Sequence, residues 1–337
     1  MEKLRGFYHF DESVLDSVSE AALWQDGRSF AKLADYYGIA DGPEVVPADK
    51  THKAFQVLTI KPRHDYDAAQ ARVYHLPMSM PIDPSMTMRC LRLFEADSSR
   101  QMVMVGNPSA AGQRYGKLHV KDMPAVWRGD LAPVVDPFLS YLGKNGISET
   151  EELGFSYGAD TAAVSSARAE AHDIQVSQGV YMESAAAVGR GPGLIGGVRL
   201  GIDFMSAGAE LENYVASCNS LPLNEARELS DVGLPRYMLG LARLSNLAIG
   251  NALAHNGFEA RAREALVAQP DMRASIVWGT ASELAREDDM IRIVGDLRSE
   301  FGQERVESMA IEGMHHAGGD QIDLHAAIAL QALHDKN

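Results

Sequence analysis

The stretch Glu151-Glu152-Leu153-Gly154-Phe155-Ser156-Tyr157-Gly158-Ala159-Asp160 constrains this chain more than any other. It contains G-x-S-x-G, a serine flanked by glycines two residues before and two after. Upstream, Ile147 to Phe155 reads as a short strand with an unusually acidic start. Downstream, Ala159 to Ala169 reads as a helix of small residues, which can lie close against a sheet. Strand, sharp turn and close-packed helix is the context in which such a serine is lifted above a sheet. The backbone at the serine is then strained, and glycines leave room where chain segments crowd. The next helix aims its N-terminus at whatever the hydroxyl attacks. An isolated G-x-S-x-G is otherwise an ordinary Ser/Gly loop, and the neighbours decide between the two readings.

The rest of the chain supplies a sheet for that turn. Phe55–Ile60 alternates and is β-branched, and Arg72–Leu76 reads as a second strand. That strand runs into the proline-bounded loop Pro77-Met78-Ser79-Met80-Pro81. A helix is expected from 85 to 94. Gln101–Val105 is a nearly continuous apolar run, as suits a strand covered on both faces, and it ends in the turn-rich loop 106–112. A helix from 133 to 142 precedes the serine strand, and Val176–Met182 is a weaker strand after it. From 184 to 270 the rhythm becomes helical, notably over 234–253. Strands then return at 274–278 and 305–311, separated by a helix over 288–301, and a helix over 323–334 closes the chain. Alternating strands and helices predict an α/β fold with a mainly parallel central sheet flanked by helices. The expected organisation is an N-terminal helical extension over 1–52, a core over 53–183 and 271–337, and a helical cap over 184–270.

Composition narrows the classes. The net charge of −15 over 337 residues offers no basic stripe for nucleic acid. No apolar run approaches the roughly 20 residues that a membrane span needs, and the N-terminus lacks the apolar core of a signal peptide. A cytoplasmic protein is the expectation, and a homo-oligomer is compatible with it. Cys90 and Cys218 read as small buried hydrophobes, not as a disulfide. Gly191, Gly193 and Gly196 satisfy G-x-G-x-x-G, but Pro192 interrupts them and no strand leads into them. They read as a hinge at the cap entrance, not a dinucleotide site. No cofactor is expected.

Three features stand in chain order: Ser156, an acidic segment after a strand (Gly279-Thr280-Ala281-Ser282-Glu283), and histidines after the last strand (Gly313-Met314-His315-His316). A serine needs a base within hydrogen-bond reach, and the base needs an acid to hold its tautomer. From about Phe55 onward the sequence resembles the α/β-hydrolase superfamily. The resemblance is carried by Gly154-Phe155-Ser156-Tyr157-Gly158, by Trp278-Gly279 with Glu283, and by Gly313-Met314-His315 before a closing helix. It implies that Ser156 is the nucleophile and that a histidine after the last strand is the general base. His315 is ranked ahead of His316 on its spacing to the closing helix. The usual acid position, three residues after Gly279, holds Ser282. Glu283 is therefore ranked first as the acid, with Glu183 as alternate because some members carry the acid at the end of the preceding strand. The oxyanion hole is expected from the N–H of Tyr157 and from that of Met78 or Ser79.

His315, His316, Asp320, Asp323 and His325 also cluster in sequence. However, Asp323 and His325 stand two apart at a helix start and face different sides, so no metal is expected. The resulting expectation is a serine hydrolase acting on an ester, thioester or related acyl bond of a small molecule. A non-catalytic binding or scaffold protein of the same fold, and an acyltransferase with the same residues, are the alternatives.

Overall fold

The structure is a computed structural model, and it describes residues 30–49, 53–78, 80–106, 118–189, 244–255, 257–316 and 322–334. Eight strands form one sheet: β1 (Glu44–Val46), β2 (Phe55–Ile60), β3 (Gln70–His75), β4 (Gln101–Val105), β5 (Glu149–Phe155), β6 (Gln175–Met182), β7 (Arg273–Gly279) and β8 (Val306–Ile311). Their spatial order is β1-β2-β4-β3-β5-β6-β7-β8. β2 runs antiparallel to β1 and β4, and every pairing from β4 to β8 is parallel. The strand-helix alternation in the sequence requires this, because parallel neighbours need a crossover, usually a helix. β1 lies within the span that reads as helical from sequence. Its three residues are held by pairing with Phe55, Gln56 and Val57, a contact that local propensity does not encode.

The described helices are α1 (Phe30–Tyr36), α2 (Pro84–Ala96), α3 (Met123–Trp127), α4 (Ala132–Lys144), α5 (Tyr157–Arg168), α6 (Leu244–Ala254), α7 (Phe258–Ala268), α8 (Glu287–Phe301) and α9 (Ile322–His334). They cover both sheet faces. Successive strand residues point to opposite sides, and the two buried clusters divide accordingly. Val57, Val73, Tyr181 and Ile276 pack with residues of α4, α5, α7 and α8, such as Phe138, Ala162, Ala265 and Leu297. Leu58, Tyr74, Met182 and Val277 pack with residues of α1, α2 and α9, such as Leu33, Leu91 and Leu333. α2 starts on Asp83, whose side chain accepts from the N–H of Met86, with Pro84 in the first helical position. Glu287, Asp288 and Asp289 lie in the first turn of α8, where the helix dipole favours negative charge.

Within the span expected as a cap, 190–243 lies outside the described residues, which takes in Gly191, Gly193, Gly196 and the first half of the expected 234–253 helix; its second half is α6. α7, in the same span, lies against α5 and β7 with Phe258, Ala262, Ala265 and Leu266 buried. Residues 1–29 of the N-terminal extension and Cys218 are also outside the described set. Cys90 is buried and free. Among the described residues, no helix is long and apolar enough to cross a membrane.

The acidic start of β5 has a structural reason. Glu149 pairs with Arg100 at 2.8 Å and accepts from Gln70. Glu151 pairs with Arg72 at 2.8 Å and with Arg100 at 3.3 Å. Glu152, wholly buried, meets His75 Nε2 at 2.6 Å and accepts from the Thr150 hydroxyl. Arg72, itself buried, also donates through Nη2 to Asp97 at 2.8 Å. Each carboxylate therefore has a partner on β3 or in the segment leading into β4, or within β5 itself.

Arg72→Met leaves Glu151 and Asp97 without this guanidinium. The expected loss is about 3–5 kcal/mol, as for removing one partner of a buried ion pair, and chemical denaturation measures it. Burial alone would raise the Asp97 carboxyl, but the Arg72 guanidinium and the Ser99 contacts hold it well below the usual carboxylate range. A depressed folded-state pKa contributes stability that is complete above the unfolded value of about 4 and lost as pH falls below it. Asp97→Asn should therefore flatten the decline of Tm below about pH 4. An unchanged acid slope in the variant contradicts this assignment.

Candidate active site

The parallel strands bring their C-terminal ends to one edge of the sheet, and the site is assembled there from the turns after β5, β6, β7 and β8. Ser156 joins β5 to α5 with φ 59° and ψ −124°, in the left-handed half of backbone space that non-glycine residues rarely occupy. Its N–H donates to Met182 O at 2.9 Å, which ties the turn to the end of β6. The flanking glycines are required by space. A Cβ on Gly154 would stand 2.0 Å from Gly158 O, and one on Gly158 would stand 2.1 Å from His75 O. The residues leading out of β3 therefore lie directly against the first turn of α5.

Ser156 Oγ lies 3.1 Å from His316 Nε2, and His316 Nδ1 lies 3.0 Å from Glu183 Oε2. All three side chains are buried. Glu183 follows β6 and is also in the left-handed region, at φ 53°. Its carboxyl collects two further donors: Oε1 accepts from the N–H of Gly279, and Oε2 accepts from the Ser282 hydroxyl at 2.5 Å. Ser282 Oγ in turn accepts from the N–H of Ala285. A carboxylate surrounded by donors can only accept, so we assign the imidazole proton to Nδ1, which leaves Nε2 free to take the serine proton. Phe155 stacks on the His316 ring with centroids 5.0 Å apart and planes at 24°. The other side of the Phe155 environment is His325, which meets it edge-on at 5.6 Å and hydrogen-bonds the Tyr74 hydroxyl at 2.8 Å.

The structure thus brings together Ser156, His316 and Glu183, the two alternates from the sequence reading, and does not bring His315 or Glu283 into contact with them. For the histidines the difference is burial. Met314 is buried in the core, and His316 is buried against Ser156 and Glu183. His315, between them, is half-buried. For the acids, Glu283 is exposed at the surface. The inward position of that turn belongs to Ser282, which serves Glu183 as a donor. The absence of an acid at position 282 was the one sequence signal bearing on this, and it did not by itself separate Glu283 from Glu183.

Tyr157 is the first residue of α5, so its N–H has no acceptor within the helix. Met78 is buried in the turn after β3, where Pro77 O accepts from the N–H of Met80. Ser79 and Asp320 lie outside the described residues, as does the side chain of Asp323. Among the described residues, no group of three or more His, Cys, Asp or Glu side chains is placed to hold a metal.

No family model matches the sequence, and no curated protein matches it. Solved structures do share its fold. A hydrolase from Pseudomonas aeruginosa superposes with a TM-score of 0.57 at 10% identity, covering 88% of this chain and 100% of that one. A 2-hydroxy-6-oxo-6-phenylhexa-2,4-dienoate hydrolase from Rhodococcus gives 0.55 at 12% identity, covering 87% and 100%. An enol-lactonase from Burkholderia xenovorans gives 0.52 at 14% identity, again covering 87% and 100%.

The close approach at the turn is testable by stability alone. Gly158→Ala forces a Cβ into backbone and should cost about 1–3 kcal/mol or more. Gly295, exposed inside α8 with nothing within 4 Å of an added Cβ, supplies the control. Gly295→Ala should raise stability by about 0.5–1 kcal/mol, the helix-interior difference between these residues. Thermal unfolding of the two variants should move in opposite directions.

Proposed function

We propose that this chain, whose fold is that of the α/β-hydrolases, is a serine hydrolase that cleaves an ester, thioester or related acyl bond through an acyl-enzyme intermediate. The observation that carries the reading is the relay of Ser156 Oγ, the His316 ring and the Glu183 carboxyl, at 3.1 and 3.0 Å, on a serine held at positive φ. The names of the structural neighbours, a hydrolase, a dienoate hydrolase and an enol-lactonase, are consistent with it.

In this proposal His316 Nε2 takes the proton of Ser156 as Oγ attacks the acyl carbon. The imidazolium that forms is balanced by Glu183, which stays ionised and holds the ring through Nδ1. Negative charge develops on the carbonyl oxygen. The N–H of Tyr157 and one from Met78 or Ser79 receive it, with the N-terminal dipole of α5 behind them. His316 then returns its proton to the leaving group, and water, activated by the same ring, releases the acid. The insertion between β6 and β7 is the proposed lid over a small-molecule substrate. An acyltransferase would use the same residues with an acceptor other than water. A purely scaffolding role gives no reason for a buried serine, histidine and carboxyl to be aligned in this order.

A fluorophosphonate probe followed by peptide mapping tests the reading, because labelling requires nucleophile, base and oxyanion donors together. Ser156 is the expected site, and Ser156→Ala should abolish both labelling and p-nitrophenyl ester hydrolysis. His316→Ala and Glu183→Gln should each lower the rate by roughly 10²–10⁴-fold. His315→Ala and Glu283→Gln should stay close to wild type. A wild-type protein that leaves Ser156 unlabelled, or a Ser156→Ala variant with full esterase activity, sinks the proposal.

A further inference from the structure

Beneath the relay lies a second buried polar network. Asp160, in the first turn of α5, is wholly buried. Its Oδ1 receives Arg261 Nη1 at 2.7 Å, and its Oδ2 receives the Ser184 hydroxyl at 3.0 Å. Ser184 Oγ accepts from the N–H of Ala186 at 3.2 Å. Arg261, on α7, spends its remaining reach on carbonyls, donating through Nη2 to Gly129 O at 3.2 Å and to Ala252 O at 3.4 Å. Burial pushes the Asp160 carboxyl upward, and the guanidinium and the Ser184 and Ala186 donors oppose that push.

A buried ion pair is weak evidence for stability, since apolar side chains of similar volume often serve as well. Its location explains it better. Ser184 follows Glu183 directly, and Glu183 is one of the three non-glycine residues at positive φ among the described residues. Such a conformation persists only when its surroundings over-determine it. Glu183 is anchored on one side by its own N–H to Val277 O at 2.8 Å and by the donors to its carboxyl. On the other side the chain is held by Ser184. Asp160 stands four residues beyond Ser156 on the helix that Ser156 opens. Two side chains therefore span from the nucleophile's helix to the acid's turn.

We propose that Asp160, Ser184 and Arg261 form a positioning clamp that fixes the Glu183 turn relative to the Ser156 helix, so that the acid stays in register with His316. None of the three touches the reacting atoms. They act through Glu183 and through the first turn of α5. The proposal rests on the catalytic reading of Ser156, His316 and Glu183, and it deepens that reading by assigning what holds its geometry.

Ser184→Ala removes the one hydroxyl that joins the two elements and leaves the relay residues intact. The saturating rate of fluorophosphonate labelling at Ser156 should fall on the order of tenfold to hundredfold, the cost of a displacement of about 1 Å in a catalytic group. Probe affinity should stay within about twofold, because the binding surface is untouched. The downfield proton resonance of His316 Nδ1–H, hydrogen-bonded to Glu183, should shift or broaden in the same variant. A structural role alone would lower Tm without moving either readout. Should Ser184→Ala fail to fold, Asp160→Asn keeps the shape but has a single acceptor oxygen for two donors, Arg261 Nη1 and the Ser184 hydroxyl, so one of the two bonds of the clamp is lost and the same two changes are expected. A folded variant with wild-type labelling and an unshifted resonance overturns the clamp. If the wild type itself is not labelled, the catalytic reading fails, and the resonance in the variants still decides the clamp.

Discussion

The structure depends on a backbone conformation that its own residue type resists. Ser156 is held at φ 59°, a strain of about 1–3 kcal/mol for a non-glycine residue. It persists because the surroundings leave no alternative. Gly154 and Gly158 let β5, α5 and the segment leaving β3 approach to distances that no Cβ would permit. The Ser156 N–H is committed to Met182 O, at the end of the neighbouring strand. Relaxing the turn would cost that hydrogen bond and the packing of α5 on the sheet together. The hydroxyl is consequently presented at the edge where β6, β7 and β8 also end, and every other part of the site reaches it from there.

The same logic of compensation runs through the buried charges. The carboxyl of Glu183 is completely buried, yet it receives the Gly279 N–H, the Ser282 hydroxyl and His316 Nδ1. A buried carboxylate is costly unless its lone pairs are occupied, and these donors occupy them while fixing the direction in which it faces. Earlier along β5, the pairs of Glu151 with Arg72 and of Glu152 with His75 solve the same problem. One strand thus carries three partnered glutamates at its start and the serine turn at its end.

Much of this was readable from residue order. The strands at 55–60, 72–76, 101–105, 147–155, 176–182, 274–278 and 305–311 follow from alternation or apolar runs, and the structure has strands at each of these positions. β1 was not readable, because three residues have no period to detect and their strand character comes from pairing with β2. The glutamates of β5 looked out of place because their partners, Arg72, His75 and Arg100, are distant in sequence and become neighbours only through the parallel register of β3 and β5 and the turn into β4.

Residue order alone sets out the chemistry on offer: a serine between spaced glycines, two adjacent histidines after the last strand, and glutamates after two others. Period and turn chemistry are local, so they survive in a one-dimensional pattern. Which members of each pair meet follows from the packing of the folded chain. In the turn after β8, His316 is buried against Ser156 while His315 is only half-buried, and the turn after β7 buries Ser282 and exposes Glu283. Such choices depend on which side chain the packed core accepts, a property of the assembled layers and not of any segment within them.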